Sequence, residues 1–151
     1  MSVPIWNAEV FKENDRIMLD QLVERSIKKK NAEALHQGIL TIFVIVAVAF
    51  MAWLFQFGVQ SSYTGDVLSL IFYHFSNTVN MAGYIALALL YAYWRQKHKK
   101  FKKEKDKYED LRSEVIEKKD KYWTKEYSDD ILDKLVSELE GFYKINVSYK
   151  S

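Results

Sequence analysis

The chain has 151 residues, of which 49% are hydrophobic and 28% charged, and its formal net charge is +2. These two classes are segregated, since Asp66 is the only charged residue between Gly38 and Trp94 and all 22 Lys and Arg residues lie outside that stretch. A water-soluble globule would need to bury nearly all of the segment beneath flanks too small to cover it. The composition therefore excludes an ordinary soluble domain and predicts an all-α membrane protein. The absence of cysteine excludes disulfides, thiolate metal sites and a cysteine nucleophile.

Residues 1–37 predict a cytoplasmic amphipathic helix. Pro4 is the only proline, so nothing interrupts a helix from about Asn7 into the apolar segment. We expect this helix to lie on the membrane surface or to pack against the helix that follows the second span. Spacings near three, four and seven place six apolar side chains on one helical face: Val10, Phe11, Ile17, Met18, Leu22 and Ile27.

Residues 38–58 predict the first membrane-spanning helix. This uncharged run has the length of about 20 residues that a helix needs to cross the hydrocarbon. Ala47 to Ala49 resembles a signal-peptidase site, but the preceding 37 residues are too long and too acidic for a signal peptide. A cleaved leader is therefore rejected.

Residues 67–94 predict a second span, with a polar first half and an apolar second half. The apolar part, from Met81 to Trp94, is too short to cross alone, so the polar part is expected in the membrane as well. The extracytoplasmic loop, residues 59–66, is short enough to force an antiparallel helical hairpin.

Positive charge beside the two predicted spans predicts their orientation in the membrane. Lys28 to Lys30 precede the first span and the basic run from Arg95 to Lys103 follows the second, while the loop carries no Lys or Arg. The positive-inside rule then places both termini in the cytoplasm of a multi-pass cell-membrane protein.

Residues 95–127 predict a long cytoplasmic helical stalk with 13 basic and 8 acidic groups, a net charge of +5. Its apolar positions follow a seven-residue repeat, but Glu104 and Lys118 occupy two of the positions that a strong coiled coil keeps apolar. A contact with the N-terminal helix is therefore favoured over a homodimer. The repeat consists of Phe101, Tyr108, Val115 and Tyr122, with Leu111 at the second seam position.

Residues 128–151 predict a short amphipathic helix and a tail. Ser128 is a natural N-cap, and Gly141 a natural C-terminal stop. The tail from Phe142 onward alternates like a strand, and three arrangements stay open: a longer helix, a segment lying on its own protein, or an added strand on a partner's sheet.

The polar half of the second span is the candidate intramembrane site. Such groups avoid lipid and face another helix or water, so hydrogen bonding within the hairpin or self-association is the favoured function. His74 also offers a proton-responsive group, since imidazole titrates near neutral pH. The polar helical face comprises Tyr73, His74, Asn77, Asn80 and Tyr84.

The basic run predicts contacts with anionic lipid headgroups, each worth about 1 kcal/mol near the surface. Nucleic acid is not an expected partner. The run comprises Arg95, Lys97, Lys99, Lys100, Lys102 and Lys103.

Enzyme signatures are absent from the sequence. There is no phosphate-binding loop, no G-x-S-x-G elbow and no H-E-x-x-H motif. The three histidines, His36, His74 and His98, show no metal-ligand spacing. We therefore expect a non-enzymatic protein without a catalytic, cofactor or metal site.

This layout resembles the small YpbF-like proteins of bacilli, an uncharacterised family with two membrane spans. The resemblance rests on the lysine-rich segment Lys28 to Lys30, the hairpin from Gly38 to Trp94, the stalk after Arg95 and the tail Ile145 to Ser151. It implies a cell membrane of a low-GC Gram-positive bacterium, and it brings no activity or site residues.

The leading functional hypothesis is a membrane-anchored interaction or scaffold protein with a cytoplasmic helical surface. One alternative is an oligomeric small pore or transport accessory that uses the polar face of the second span. Another is a membrane-surface sensor whose N-terminal helix leaves the stalk to bind lipid. A further interpretation of the stalk is that its apolar residues pack internally against the N-terminal helix. The candidate surface for a protein partner or a homo-oligomer comprises Tyr108, Leu111, Val115, Tyr122, Leu135 and Leu139.

Overall fold

The computed structural model describes residues 4–7, 10–58, 68, 72 and 75–148. Its regular structure is helical, and no strand occurs among these residues, in agreement with the predicted all-α class. A 3₁₀ turn at Ile5–Asn7 precedes three long helices, which we number α1 (Glu13–Trp53), α2 (Thr78–Lys118) and α3 (Asp129–Phe142). Two π-helical turns extend α1 and α2, at Leu54–Gly58 and Lys119–Trp123, and a further turn covers Thr124–Glu126.

The chain divides into two compact units. We call the first the core unit; it comprises Met1–Ala32 and Phe101–Ser151. The second, which we call the apolar unit, comprises Glu33–Lys100.

The core unit encloses a continuous hydrophobic core. It draws on the N-terminal turn, the start of α1, the second half of α2, α3 and the tail. Its most deeply buried side chains are Trp6, Phe11, Leu19, Leu22, Val115, Trp123, Leu135, Leu139, Ile145 and Val147.

The face that α1 presents to this core is rotated from the predicted one. The buried positions are Asp15, Met18, Leu19, Leu22 and Ser26, whose spacing defines a single helical face. The helix begins only at Glu13, so Val10 precedes it. Ile17 and Ile27 are each about half exposed because they lie one residue, roughly 100° of rotation, from that face.

The two charged seam positions of α2 are satisfied by ion pairs with α1. Glu104 lies 3.5 Å from Arg25, and Lys118 lies 3.6 Å from Asp15. The residue order is reversed between the two helices, so they pack antiparallel in the core unit. The favoured contact between the stalk and the N-terminal helix is thus present.

Helix α3 begins where the sequence predicts and ends later than predicted. Ser128 occupies the N-cap position, although its side chain makes no capping hydrogen bond. Gly141 is not the stop. The helix ends at Phe142. Just after it, Lys144 adopts the left-handed conformation with φ of 57°, and the Ile145 N–H donates to the Leu139 carbonyl at 2.9 Å.

The tail lies on its own protein, one of the three arrangements that its alternating pattern left open. Ile145 and Val147 are buried in the core. Basic side chains of the long helical segment bind the intervening backbone: Arg112 Nε donates to the Asn146 carbonyl at 2.5 Å and Lys119 Nζ donates to the Val147 carbonyl at 3.1 Å. The predicted alternation thus reflects an extended segment anchored on a helix, and residues 149–151 lie outside the described part.

The apolar unit pairs the end of α1 with the start of α2. Ring contacts join Phe43 to Tyr91 (centroids 6.2 Å apart) and Phe50 to Tyr84 (5.1 Å), an antiparallel register. Among the described residues one helix, Glu13–Gln56, is long and apolar enough to cross a membrane by length and composition, and 6% of its most apolar window is buried.

The second predicted span is not one uninterrupted helix. Asn77 lies outside helical structure, and its Oδ1 accepts a hydrogen bond from the Val79 N–H at 2.9 Å. This side-chain acceptor satisfies a free amide at the helix N-terminus, so Asn77 starts α2 instead of continuing a helix from residue 67. The predicted loop, residues 59–66, lies outside the described residues.

Candidate functional sites

Three of the five residues of the predicted intramembrane polar face are described. Asn77 caps α2, Asn80 is 3% exposed, and the Tyr84 ring packs edge-on against Phe50. Asn77 thus bonds within its own helix, and Tyr84 contacts a ring of α1. Tyr73 and His74 lie outside the described residues, so the proposed proton-responsive role of His74 stays a prediction.

A close approach of α1 to α2 occurs at Gly83. A Cβ atom at this position would lie 2.6 Å from Cζ of Phe50, well inside van der Waals contact. The small residue therefore admits the Phe50 ring of the same chain, which gives this position a role in packing within the apolar unit.

We predict that Gly83→Ala forces Phe50 to move and destabilises the apolar unit by up to about 2 kcal/mol, the cost of overpacking less the gain of Ala over Gly inside a helix. Thermal unfolding of the full chain in detergent measures the loss. In the Phe50→Ala background Gly83→Ala should cost less than in the parent chain, because the added methyl then meets open space. Equal effects of Gly83→Ala in both backgrounds would contradict the contact.

The basic run lies on the surface of α2. Five of its six members are exposed, and Lys97 is half-buried, with its Nζ 4.9 Å above the Tyr93 ring. A cationic head beside an aromatic ring suits the interface between water and headgroups. The exposed members are Arg95, Lys99, Lys100, Lys102 and Lys103.

The predicted partner surface requires correction, because most of it is internal. Four of its six side chains belong to the buried core: Tyr108, Val115, Leu135 and Leu139. Leu111 packs against that core, and only Tyr122 stays exposed, at 60%. The physical reason is that α1 and the tail cover the apolar stripe of α2, as the internal alternative held.

A buried polar cluster in the core unit escaped the sequence prediction. The Tyr127 hydroxyl donates to Oδ2 of Asp15 at 2.8 Å and accepts the Lys12 N–H at 3.1 Å. Burial raises the pKa of Tyr127 above its ordinary value, and the hydrogen bond to Asp15 acts in the same direction. Sequence separation hid the cluster, since its partners are 112 residues apart.

A second unpredicted cluster joins two histidines in the apolar unit. His36 Nε2 lies 3.0 Å from His98 Nδ1, and the Trp94 ring stacks on His98 at 5.4 Å. The register that places Phe43 beside Tyr91 also places His36, seven residues before Phe43, opposite His98, seven residues after Tyr91. Sequence spacing alone could not show this pair, because the register depends on helix packing.

The fold defines a helical protein with one helix able to cross a membrane by its length and composition. A family model described as "Protein of unknown function (DUF2663)" matches residues 18–150, and the chain belongs to this family. No match was found among curated proteins or among solved structures. The family is uncharacterised, as expected, and its model assigns no activity.

Proposed function

We propose that the protein is a non-enzymatic membrane anchor with an interacting cytoplasmic unit: a two-span hairpin holds it in the cell membrane and the core unit faces the cytoplasm. The observation that carries this proposal is the small buried fraction of the apolar segment of α1. The most apolar window of α1 is only 6% buried, and Ile45, Val48 and Met51 are each more than 60% exposed. Exposed apolar surface on this scale favours lipid over water.

The start of α2 supports a second span. Val79 and Leu89 are 61% and 67% exposed. Tyr84 and Tyr91 of the same segment pack on rings of α1, and the two helices run antiparallel there. The helix from Thr78 to Trp94 covers only about 25 Å of the roughly 30 Å hydrocarbon core. The polar residues before Thr78 therefore complete the crossing in this proposal, with the Asn77 cap inside the membrane.

The basic residues that flank the spans support a cytoplasmic location of the core unit. The exposed basic run follows Trp94 directly, where anionic headgroups on the cytoplasmic side attract Lys and Arg. The resemblance to the two-span YpbF-like proteins implies the same arrangement.

Cysteine labelling tests the topology, and the chain offers a background without native cysteine. We expect Ser62→Cys, in the predicted loop, to react with a membrane-impermeant maleimide in intact cells. Ser137→Cys, exposed on α3, is the matched control and should react only after lysis. Labelling of both positions from outside, or of neither before lysis, would contradict the two-span arrangement.

The interaction role depends on the surface that folding leaves open. Tyr122 is 60% exposed and lies in the π-helical turn at Lys119–Trp123, a widened type of turn frequent at functional sites. We expect a photo-crosslinking residue at Tyr122 to form an adduct with a different protein in intact cells. The same residue at Phe142, exposed on α3, serves as the control site.

The outcomes separate the alternatives. A heterologous adduct specific to position 122 supports docking, and its mass identifies the partner. A self-adduct of double mass favours the oligomeric alternative instead, and the absence of any adduct contradicts docking at this surface.

The pore alternative receives less support. It requires polar side chains directed at a shared axis, whereas Asn77 caps its own helix and Asn80 is buried within its own chain. The sensor alternative requires the N-terminal helix to leave the stalk, at the cost of exposing Leu19 and Leu22, which are fully buried.

A further inference from the structure

The two histidines of the apolar unit form a cluster that the anchoring role does not use. Their facing nitrogens are 3.0 Å apart, their ring centroids 4.8 Å apart, and both rings are half-buried. The Trp94 ring lies against both, 5.4 Å from His98 and 5.7 Å from His36. Contacts from two helices and an indole thus hold the two nitrogens close together, with the imidazole planes tilted by 48°.

We propose that His36 and His98 form a two-histidine site for a divalent transition-metal cation that prefers imidazole, Zn²⁺ or Cu²⁺. Neutral imidazole is a preferred ligand of both ions. Two nitrogens bound to tetrahedral zinc at about 2.0–2.1 Å lie roughly 3.3 Å from one another. The observed separation of 3.0 Å is close to this value. A tetrahedral metal lies off the line between the two nitrogens, so each ring also turns, by up to roughly 35°, to direct its lone pair at the ion.

The metal replaces the hydrogen bond between the two rings. In the metal-free pair one facing nitrogen carries a proton, and on binding that proton moves through solvent to the other nitrogen of the same ring. Both imidazoles stay neutral, and each donates a lone pair to the cation.

The site has two protein ligands. No group of three or more His, Cys, Asp or Glu side chains suited to a metal occurs in the described part of the chain, so water completes the coordination. Glu33 lies one turn from His36, while Arg95 and Lys102 lie one turn from His98. The two cations oppose a bound metal ion, so we expect modest affinity.

Metal binding would act as a clip between α1 and α2 within the apolar unit. A ligand that binds the folded pair and not the separated helices stabilises the packed arrangement by an amount that grows with the logarithm of its concentration above the dissociation constant. The consequence is a metal-dependent rise in thermal stability that requires both histidines.

Titration of the full chain in detergent with Cu²⁺ tests the site. We expect one bound ion per chain, and an electron paramagnetic resonance spectrum with coupling to two imidazole nitrogens. His36→Asn and His98→Asn should each weaken binding by roughly a hundredfold, the lower range of the gain from two linked contacts. Gln37→Asn, beside His36 and exposed, is the matched control and should bind as the parent does.

Zinc competition against a chromophoric chelator and the thermal shift on zinc addition repeat the comparison with a second ion. Coupling to a single nitrogen in the unmodified chain would overturn the proposal without reliance on any variant. Unchanged affinity in His36→Asn or His98→Asn would overturn it as well. So would an equal loss in His74→Asn, since the site would then not be defined by this pair.

Discussion

Trp6→Ala is expected to raise amide exchange rates in the core unit by roughly a hundredfold to several thousandfold, the equivalent of about 3–5 kcal/mol. Trp6 is 1% exposed, its indole N–H donates to Oδ1 of Asp20 at 2.8 Å, and its ring contacts Tyr143 at 5.6 Å. Alanine would leave a cavity between the N-terminal turn and the end of α3. Hydrogen exchange of the full chain in detergent, followed by mass spectrometry, measures the change peptide by peptide.

Trp6→Phe is the matched control. It retains most of the buried ring and loses the hydrogen bond to a carboxylate, so a destabilisation of about 1.5–3 kcal/mol is expected. Peptides from the segment 38–53 of α1, in the apolar unit, should keep their exchange rates in both variants if the units open independently. Parent-like exchange of α3 peptides in Trp6→Ala would show that the N-terminal turn does not stabilise the core.

Asp15→Ala is expected to destabilise the core unit by about 2–4 kcal/mol, from an unsatisfied buried hydroxyl and the loss of a carboxylate in the first turn of α1. Asp15 is 6% exposed and accepts from the Tyr127 hydroxyl at 2.8 Å. Lys118 lies 3.6 Å away, so the substitution also leaves this cation without its partner. Exchange rates of peptides from α3 and residues 119–127 measure the loss.

A double-variant cycle isolates the buried hydrogen bond. Asp15→Ala combined with Tyr127→Phe removes donor and acceptor together, so the combined loss should be smaller than the two single losses added. Asp15→Asn retains an acceptor of similar shape, so the stability of its core unit should lie between that of the parent chain and that of Asp15→Ala. Additive losses would mean that the two groups do not interact in solution.

Local features of the sequence predicted individual elements well. Helix α3 starts after Ser128 as its capping signal indicates, and the apolar run after Gly38 is helical. These features depend on near neighbours, such as a capping residue or an unbroken set of helix-forming residues, and near neighbours are visible in the chain. The end of α3 is a local cap in which Lys144 takes the left-handed conformation that Gly usually supplies, so Gly141 was misleading.

The candidate sites were less predictable because they depend on how helices face one another. The heptad positions of α2 indicated a contact surface but not its occupant, and α1 and the tail occupy it in the same chain. His36 and His98 are 62 residues apart, and only the antiparallel register brings their rings together. Asp15 and Tyr127 meet for the same reason.

The sequence by itself determined the helical class, the segregation of charge from apolar residues and the approximate helix positions, because composition and periodicity act over one or two turns. The tertiary structure alone decided that most of the expected partner surface is internal, that Asn77 starts α2, and that two histidines and an aspartate–tyrosine pair become neighbours. Those outcomes follow from the rotation and register of packed helices. A change of one residue in either turns a helical face by about 100°, so the pattern within one helix cannot specify its partner.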